Sequence, residues 1–245
     1  MFYAVSKHGG KFKALFEVVF QNMTTACFTI DKKGMFLEFL TTQNILFTLF
    51  LPSECFQEYI YDEKEPSHIG LNSHISKEFF KYLKNKDIFS MKMEKPYIFE
   101  FAKISEDDVQ IMLSVCIENI QNFTPMKHLN YTSSCVSLNT INFNQLCRSF
   151  NTISTVNVIK CNGQITFSFE TGITTKSIVF GKENQNEIDM VHYIYYSDRF
   201  TRISKISSFV DEVIELKIEK EKPLYIYCES VIGYMKIFIY PKEDN

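Results

Sequence analysis

The chain has 245 residues, enough for one large domain or two of ordinary size, and its 45% hydrophobic content supplies real cores, which excludes a disordered chain. With 26 basic and 29 acidic residues the formal net charge is −3, so any contact with nucleic acid has to come from a local patch rather than from bulk charge. No run of eighteen apolar residues occurs, and the opening MFYAVSKHGGKFKALFEVVF lacks the order of a secretory signal, so an intracellular soluble protein is expected.

The first predicted element is an amphipathic helix over residues 10–22, with Phe12, Leu15, Phe16 and Val19 at helical spacing and Lys11 and Lys13 on its polar side. Residues 26–40 (ACFTIDKKGMFLEFL) follow as a strand, a glycine turn and a strand. A second helix over 73–84 puts Ile75, Phe79, Tyr82 and Leu83 on one face and Lys77, Lys81 and Lys84 on the other. Residues 87–101 (DIFSMKMEKPYIFEF) read as a hairpin, with Phe89, Met91 and Met93 alternating against Ile88, Ser90 and Lys92. Residues 115–134 have no clear period, carry Pro125, and mix polar residues with Ile120, Phe123, Met126 and Leu129, as expected of an extended linker. Beyond it, residues 142–151 form a helix with Phe143, Leu146 and Phe150 inward and Arg148 outward. Residues 156–170 form a hairpin around Asn162-Gly163, and residues 195–207 a helix setting Phe200, Ile203 and Ile206 against Arg202 and Lys205. A last hairpin over 212–229 alternates Ile214, Leu216 and Ile218 with Val213, Glu215 and Lys217.

The hairpins at 26–40 and 156–170, and those at 87–101 and 212–229, are separated by about the same distance. The chain therefore reads as two copies of one domain, 1–115 and 133–245, joined by a linker at 116–132. Bases gather on the helices while acids cluster in turns and edges at 62–65, 106–108, 183–189, 211–221 and 243–244. Lysine and arginine on the wet side of one helix are ordinarily a solvated surface; their repetition on three of four helices points to a surface that meets phosphates without reading sequence. Seven scattered cysteines with no C-x-x-C pair indicate neither a disulfide framework nor a zinc site and read as small buried hydrophobes. No nucleophile elbow, metalloprotease helix or phosphate loop is present and the five histidines are isolated, so neither an enzyme nor a cofactor is expected.

Several motifs together resemble the proliferating cell nuclear antigen family of DNA sliding clamps: AC-x-x-x-I at 26–30 with Gly34 and Leu37 following, LNSHISKEFFKYLKNKDI at 71–88, FNQLCR at 143–148, and the closing KPLYIYCESVIGYMKIFIYPKED at 222–244. The resemblance spans nearly the whole chain. It implies an α+β clamp fold with two similar domains, each with antiparallel sheets and two helices. It also implies assembly into a homotrimeric ring around double-stranded DNA, with Lys11, Lys13, Lys77, Lys81, Lys84, Arg148, Arg202 and Lys205 facing the DNA. Subunits would join by edge strands near 109–115 and 175–180. A DNA polymerase, a clamp loader and other clients would insert short peptides into a groove of Leu40, Asn44, Ile45, Met126, His128, Pro223, Phe238, Ile239, Tyr240 and Pro241. The implied location is the nucleus, or a viral replication site if the chain is viral. The chain departs from the family at Asn44, usually histidine, and at Ala14, Phe20 and Gln145, which stand in place of bases. A subunit of a heterotrimeric checkpoint-type clamp and a monomeric or dimeric viral processivity factor remain open as alternatives.

Overall fold

A computed structural model describes residues 1–95, 97–105, 107, 109–119, 129–184 and 190–243, without the side chains of 75, 76, 118 and 119. Most of the expected linker, including Ile120, Phe123, Pro125, Met126 and His128, lies outside the described residues, as do the Ile75 side chain and parts of the acidic runs at 106–108, 183–189 and 243–244. The chain forms two compact units, one of Met1–Phe39, Thr48–Met126 and Ser230–Met235, the other of Leu40–Phe47, Lys127–Glu229 and Lys236–Asn245.

In chain order the first half contains β1 (Phe2–Ser6), α1 (Gly9–Asn22), β2 (Thr25–Asp31), β3 (Gly34–Leu40), β4 (Ile45–Pro52), a 3-10 turn (Ser53–Cys55), β5 (Glu58–Tyr61), β6 (Ser67–Asn72), α2 (Ser73–Lys81), β7 (Ile88–Met93), β8 (Ile98–Ile104), β9 (Gln110–Cys116) and β10 (Glu118–Asn119). The second contains β11 (Val136–Asn139), α3 (Thr140–Ser149), β12 (Thr155–Cys161), β13 (Gln164–Thr171), β14 (Thr174–Phe180), β15 (Val191–Tyr196), α4 (Ser197–Arg202), α5 (Ile206–Phe209), β16 (Val213–Lys217), β17 (Leu224–Ser230) and β18 (Gly233–Ile239). Strand orders in the first half are β5-β1-β7-β8-β9 and β10-β6-β2-β3-β4; in the second they are β14-β13-β12-β15 and β18-β17-β16-β11. Position for position, β1-β7-β8-β9 matches β11-β16-β17-β18, and β6-β2-β3-β4 matches β15-β12-β13-β14. The internal repeat seen in two hairpins thus extends through both halves, in an α+β arrangement of antiparallel hairpins.

Local chemistry explains the elements. Asn72 and Asn139 cap α2 and α3, their side-chain oxygens accepting the backbone N–H of His74 at 2.9 Å and of Asn142 at 2.7 Å. Asn162 and Gly163 have φ of +50° and +74°, the left-handed pair that a two-residue hairpin needs, and they join β12 to β13. Gly34 and Gly233 answer a different need. A Cβ on either would come within 2.1 Å of the Leu51 carbonyl oxygen or 2.2 Å of the Phe50 carbonyl oxygen, so only glycine lets the backbone approach the end of β4.

The first unit is centred on phenylalanine. Phe16 of α1 stacks on Phe80 at 4.0 Å, and Phe12 meets Phe89 at 4.8 Å, with Phe79 and Phe101 stacked beside them at 5.7 Å. Each buried ring contributes about 1.5–3 kcal/mol by leaving water. In the second unit Phe150, Phe167, Phe200 and Tyr195 form the corresponding edge-to-face cluster.

Three expectations are corrected. The fourth helix is two short pieces, α4 and α5, and begins after residues 195 and 196, which belong to β15. Serine and threonine hydroxyls cause the break: Ser204 Oγ donates to the Thr201 carbonyl and Ser207 Oγ to that of Ser204, while the backbone between them bonds three residues back instead of four. Helix α2 stops at Lys81, short of Lys84, and Tyr82 stands 58% exposed; Phe80, at 3%, takes the inward place. Of the cysteines only Cys147 and Cys228 are buried, and Cys116 and Cys135 are exposed.

Candidate functional surfaces

The apolar face of each helix is buried, so its polar face is the one left to act. Phe12, Leu15, Phe16 and Val19 of α1, Phe143 and Leu146 of α3 with Phe150 just beyond it, and Phe200 of α4 are all at most 1% exposed. Among the expected basic residues, Lys77, Lys81, Lys84, Arg148 and Lys205 are exposed, and Lys11, Lys13 and Arg202 are half-buried. Several are tied up locally. Lys13 Nζ donates to the Lys81 carbonyl at 3.1 Å, Lys81 pairs with Glu78, whose carboxylate holds the ammonium above its ordinary pKa, and Arg202 Nε lies 3.8 Å from Asp198. Such exposed pairs are weak and screened by salt. The side chains of Lys77, Lys84 and Arg148 show no hydrogen bond or ion pair among the described residues.

Of the three positions where the resemblance places further bases, Gln145 stays exposed and the other two have turned inward. Ala14 and Phe20 are 4% and 2% exposed, and Phe20 stacks on Phe16 at 5.3 Å, so an aromatic ring has joined the core where a lysine would reach outward. A buried network missing from the sequence reading fixes the ends of both helices. Lys103 Nζ, from β8, donates to Asp87 Oδ2 at 3.1 Å and to the Tyr82 carbonyl at the end of α2 at 2.7 Å. Asp87 accepts the Lys84 N–H on its carboxylate at 2.8 Å and the Gly9 N–H, at the start of α1, on its carbonyl at 3.3 Å. Lys103 lies two residues past the hairpin read at 87–101, on the inward side of β8 with Phe99 and Phe101, where alternation leads to an apolar residue.

Among the described residues β5, β9, β10, β11, β14 and β15 are end strands, and β9 and β14, at seven residues each, are the longest of these. β9 ends one strand order and β14 another, and each is largely exposed: Val109, just before β9, is 53% exposed, Met112 60%, and Val179 of β14 50%. β9 carries no charged side chain and β14 only Lys176. By contrast β5, the other end of the β9 order, has four residues including Glu58 and runs directly into Asp62 and Glu63.

The described members of the expected groove all fall in the second unit. Ile45 and Ile239 are 0% exposed and Phe238 is 3%, so these side chains lie beneath the surface, while Leu40 (50%) and Tyr240 (36%) stand at it. Asn44 has φ of +57°, which asparagine tolerates, and its carbonyl accepts the Tyr240 N–H at 3.2 Å, bringing those two expected residues together. Buried Arg199 donates to the Tyr240 carbonyl and lies 4.9 Å from the Tyr196 ring centroid, and burial lowers its guanidinium pKa. The Lys242 N–H donates to the Ile194 carbonyl at 2.7 Å, so the chain at Tyr240 and Pro241 is held on both sides. Pro223 and Phe238 are brought together through Tyr131, whose hydroxyl donates to the Pro223 carbonyl at 2.7 Å and whose ring stacks on Tyr225 at 5.0 Å and lies 6.3 Å from Phe238. Tyr131, Tyr225 and Arg199 escaped the sequence reading; the alternation of tyrosine with aliphatic residues in Leu224–Cys228 was the one available signal.

Residues 1–122 match the family model described as proliferating cell nuclear antigen, N-terminal domain. No curated protein matches the chain.

Proposed function

Because the chain belongs to the proliferating cell nuclear antigen family of sliding clamps, we propose that three copies of it close into a ring around duplex DNA. That ring tethers a DNA polymerase, is placed by a clamp loader, and recruits replication and repair proteins, with no chemistry of its own. One observation carries this reading: the two halves end in uncharged or nearly uncharged open strands, β9 in one and β14 in the other. Two different open edges on one chain favour head-to-tail joining, the kind of contact that closes a ring when its rotation fits.

The basic helix residues supply the second part. Lys77, Lys84 and Arg148, together with the exposed Lys81 that shares its charge with Glu78 and the exposed Lys205, would meet phosphates through salt-sensitive attraction, which holds DNA without fixing register and so suits sliding. Lys11, Lys13 and Arg202 contribute with their charge partly shared. Leu40, Tyr240 and Pro241 would form the accessible part of the client-peptide groove, with Ile45, Pro223, Phe238 and Ile239 as its floor and Asn44 at its rim. Met126 and His128 complete the expected set.

Solution mass tests the assembly. Light scattering at a few micromolar should give three times 28.8 kDa, about 86 kDa. A stable single-chain mass would overturn the homotrimer and leave the heterotrimeric clamp subunit or the monomeric viral factor as the reading to pursue.

A further inference from the structure

The end of the expected linker is fastened to the β16–β17 turn by a clip that strand pairing does not supply. Residues 129–135 belong to no helix or strand. Within them, the N–H groups of Thr132 and Ser133 both donate to Glu219 Oε1 at 2.6 Å, a pair of adjacent backbone donors closing on one anionic oxygen. Lys222 Nζ then donates to Glu219 Oε2 and to the Asn130 carbonyl, each at 2.5 Å, and lies 5.2 Å from the Tyr131 ring centroid. The Tyr131 hydroxyl closes the same turn through the Pro223 carbonyl. Four consecutive residues, 130–133, are thereby held by two side chains of one turn, through charge-assisted bonds of which the Glu219 side chain is only 14% exposed.

We propose that Glu219 and Lys222 are positioning residues for peptide capture: their clip fixes the backbone at 130–133 so that the Tyr131 ring stands as a rigid wall beside Pro223, Tyr225 and Phe238. This rests on the groove reading above. Without the clip the Tyr131 segment would have to be ordered by each incoming peptide, and that ordering cost would be subtracted from affinity. Neither residue touches the peptide; each acts through Tyr131.

The experiment compares the wild-type full-length chain with Glu219→Ala, Glu219→Gln and Lys222→Met. Three readouts are followed: amide hydrogen exchange at Thr132 and Ser133, solution mass, and affinity for a fluorescein-labelled synthetic peptide of aliphatic and aromatic anchors selected for binding the wild type. Glu219→Ala should speed exchange at both amides by about 30-fold or more and weaken the peptide about 10-fold, with mass unchanged. Glu219→Gln keeps an oxygen to accept both N–H groups and should restore both readouts to within about threefold of wild type, and Lys222→Met should fall between. The Gln and Met variants keep the test decisive if the alanine variant folds poorly. Faster exchange with unchanged peptide affinity would overturn the inference alone, as would unchanged exchange. A wild-type chain that captures no such peptide overturns the groove reading and this inference with it.

Discussion

β4 and β14 hold the same place in the two copies of the repeat, as do β18 and β9, yet one member of each pair is buried and the other is open. In β4, Ile45, Leu49 and Leu51 are at most 1% exposed, whereas Thr174–Ser177 and Val179 of β14 are exposed. In β18, Met235, Ile237 and Ile239 are at most 1% exposed, whereas β9 buries Val115 alone. All four sequences are strand-forming, so propensity does not separate them. What separates them is what lies alongside. A solvated edge is ordinarily protected by charge, proline or shortness, as β5 is; β9 and β14 lack that protection, which is the condition of a strand awaiting a partner.

The comparison is broken most severely by placing the same charge on both strands of a pair. Leu49→Glu puts a carboxylate at a site 1% exposed and should cost about 4 kcal/mol, seen as loss of most folded protein in thermal melting. Val179→Glu, on the counterpart strand, should leave the melting of the single chain nearly unchanged while the mass falls from about 86 kDa towards 28.8 kDa. If Val179→Glu unfolds the chain instead, β14 belongs to the core and not to an interface.

Lys77→Glu with Lys81→Glu changes an exposed face and should spare both fold and mass. DNA retention and polymerase stimulation should drop about 10-fold at moderate salt, with a shallower salt dependence. Retention equal to wild type would remove α2 from the DNA-facing surface. Leu40→Asp, at a residue 50% exposed, should weaken client-peptide binding by about 1–3 kcal/mol in fluorescence anisotropy without changing mass. Ile45 is a poor probe of the same groove, because at 0% exposed its replacement by a charge would act through the fold.

The smallest expected effect is one of pH. Burial alone would raise the Glu219 pKa, but the hydrogen bonds from Lys222, Ser133 and Thr132 outweigh it and hold the carboxyl down at about 2. An unfolded glutamate titrates near about 4.3, so Glu219 stabilises the fold fully above that pH and loses its contribution as pH falls towards 2. The stability difference between wild type and Glu219→Gln, measured by denaturant titration, should therefore be constant from pH 8 to 5 and shrink between 4 and 2. A difference that grows on acidification would contradict the carboxylate's role in the clip.

Much of the fold was legible in the residues because periodicity reports burial directly. Phe12, Leu15, Phe16 and Val19 at helical spacing, and Phe89 and Met91 at alternate positions, are inward in the structure for the reason that made them readable: one face of each element leaves water. Asn162-Gly163 was equally plain, since few residue pairs accept two left-handed conformations in succession. Tertiary structure alone decided the rest. The break between α4 and α5 depends on hydroxyls choosing nearby carbonyls, and the Lys103–Asp87 pair joins residues 16 positions apart in sequence that no pattern links. The same holds for the clip of Glu219 and Lys222 on residues 130–133, and for which copy of each repeated strand stays open. Periodicity carries the direction in which a side chain points, whereas hydrogen-bond partners and strand neighbours depend on distances that arise only when the chain has folded.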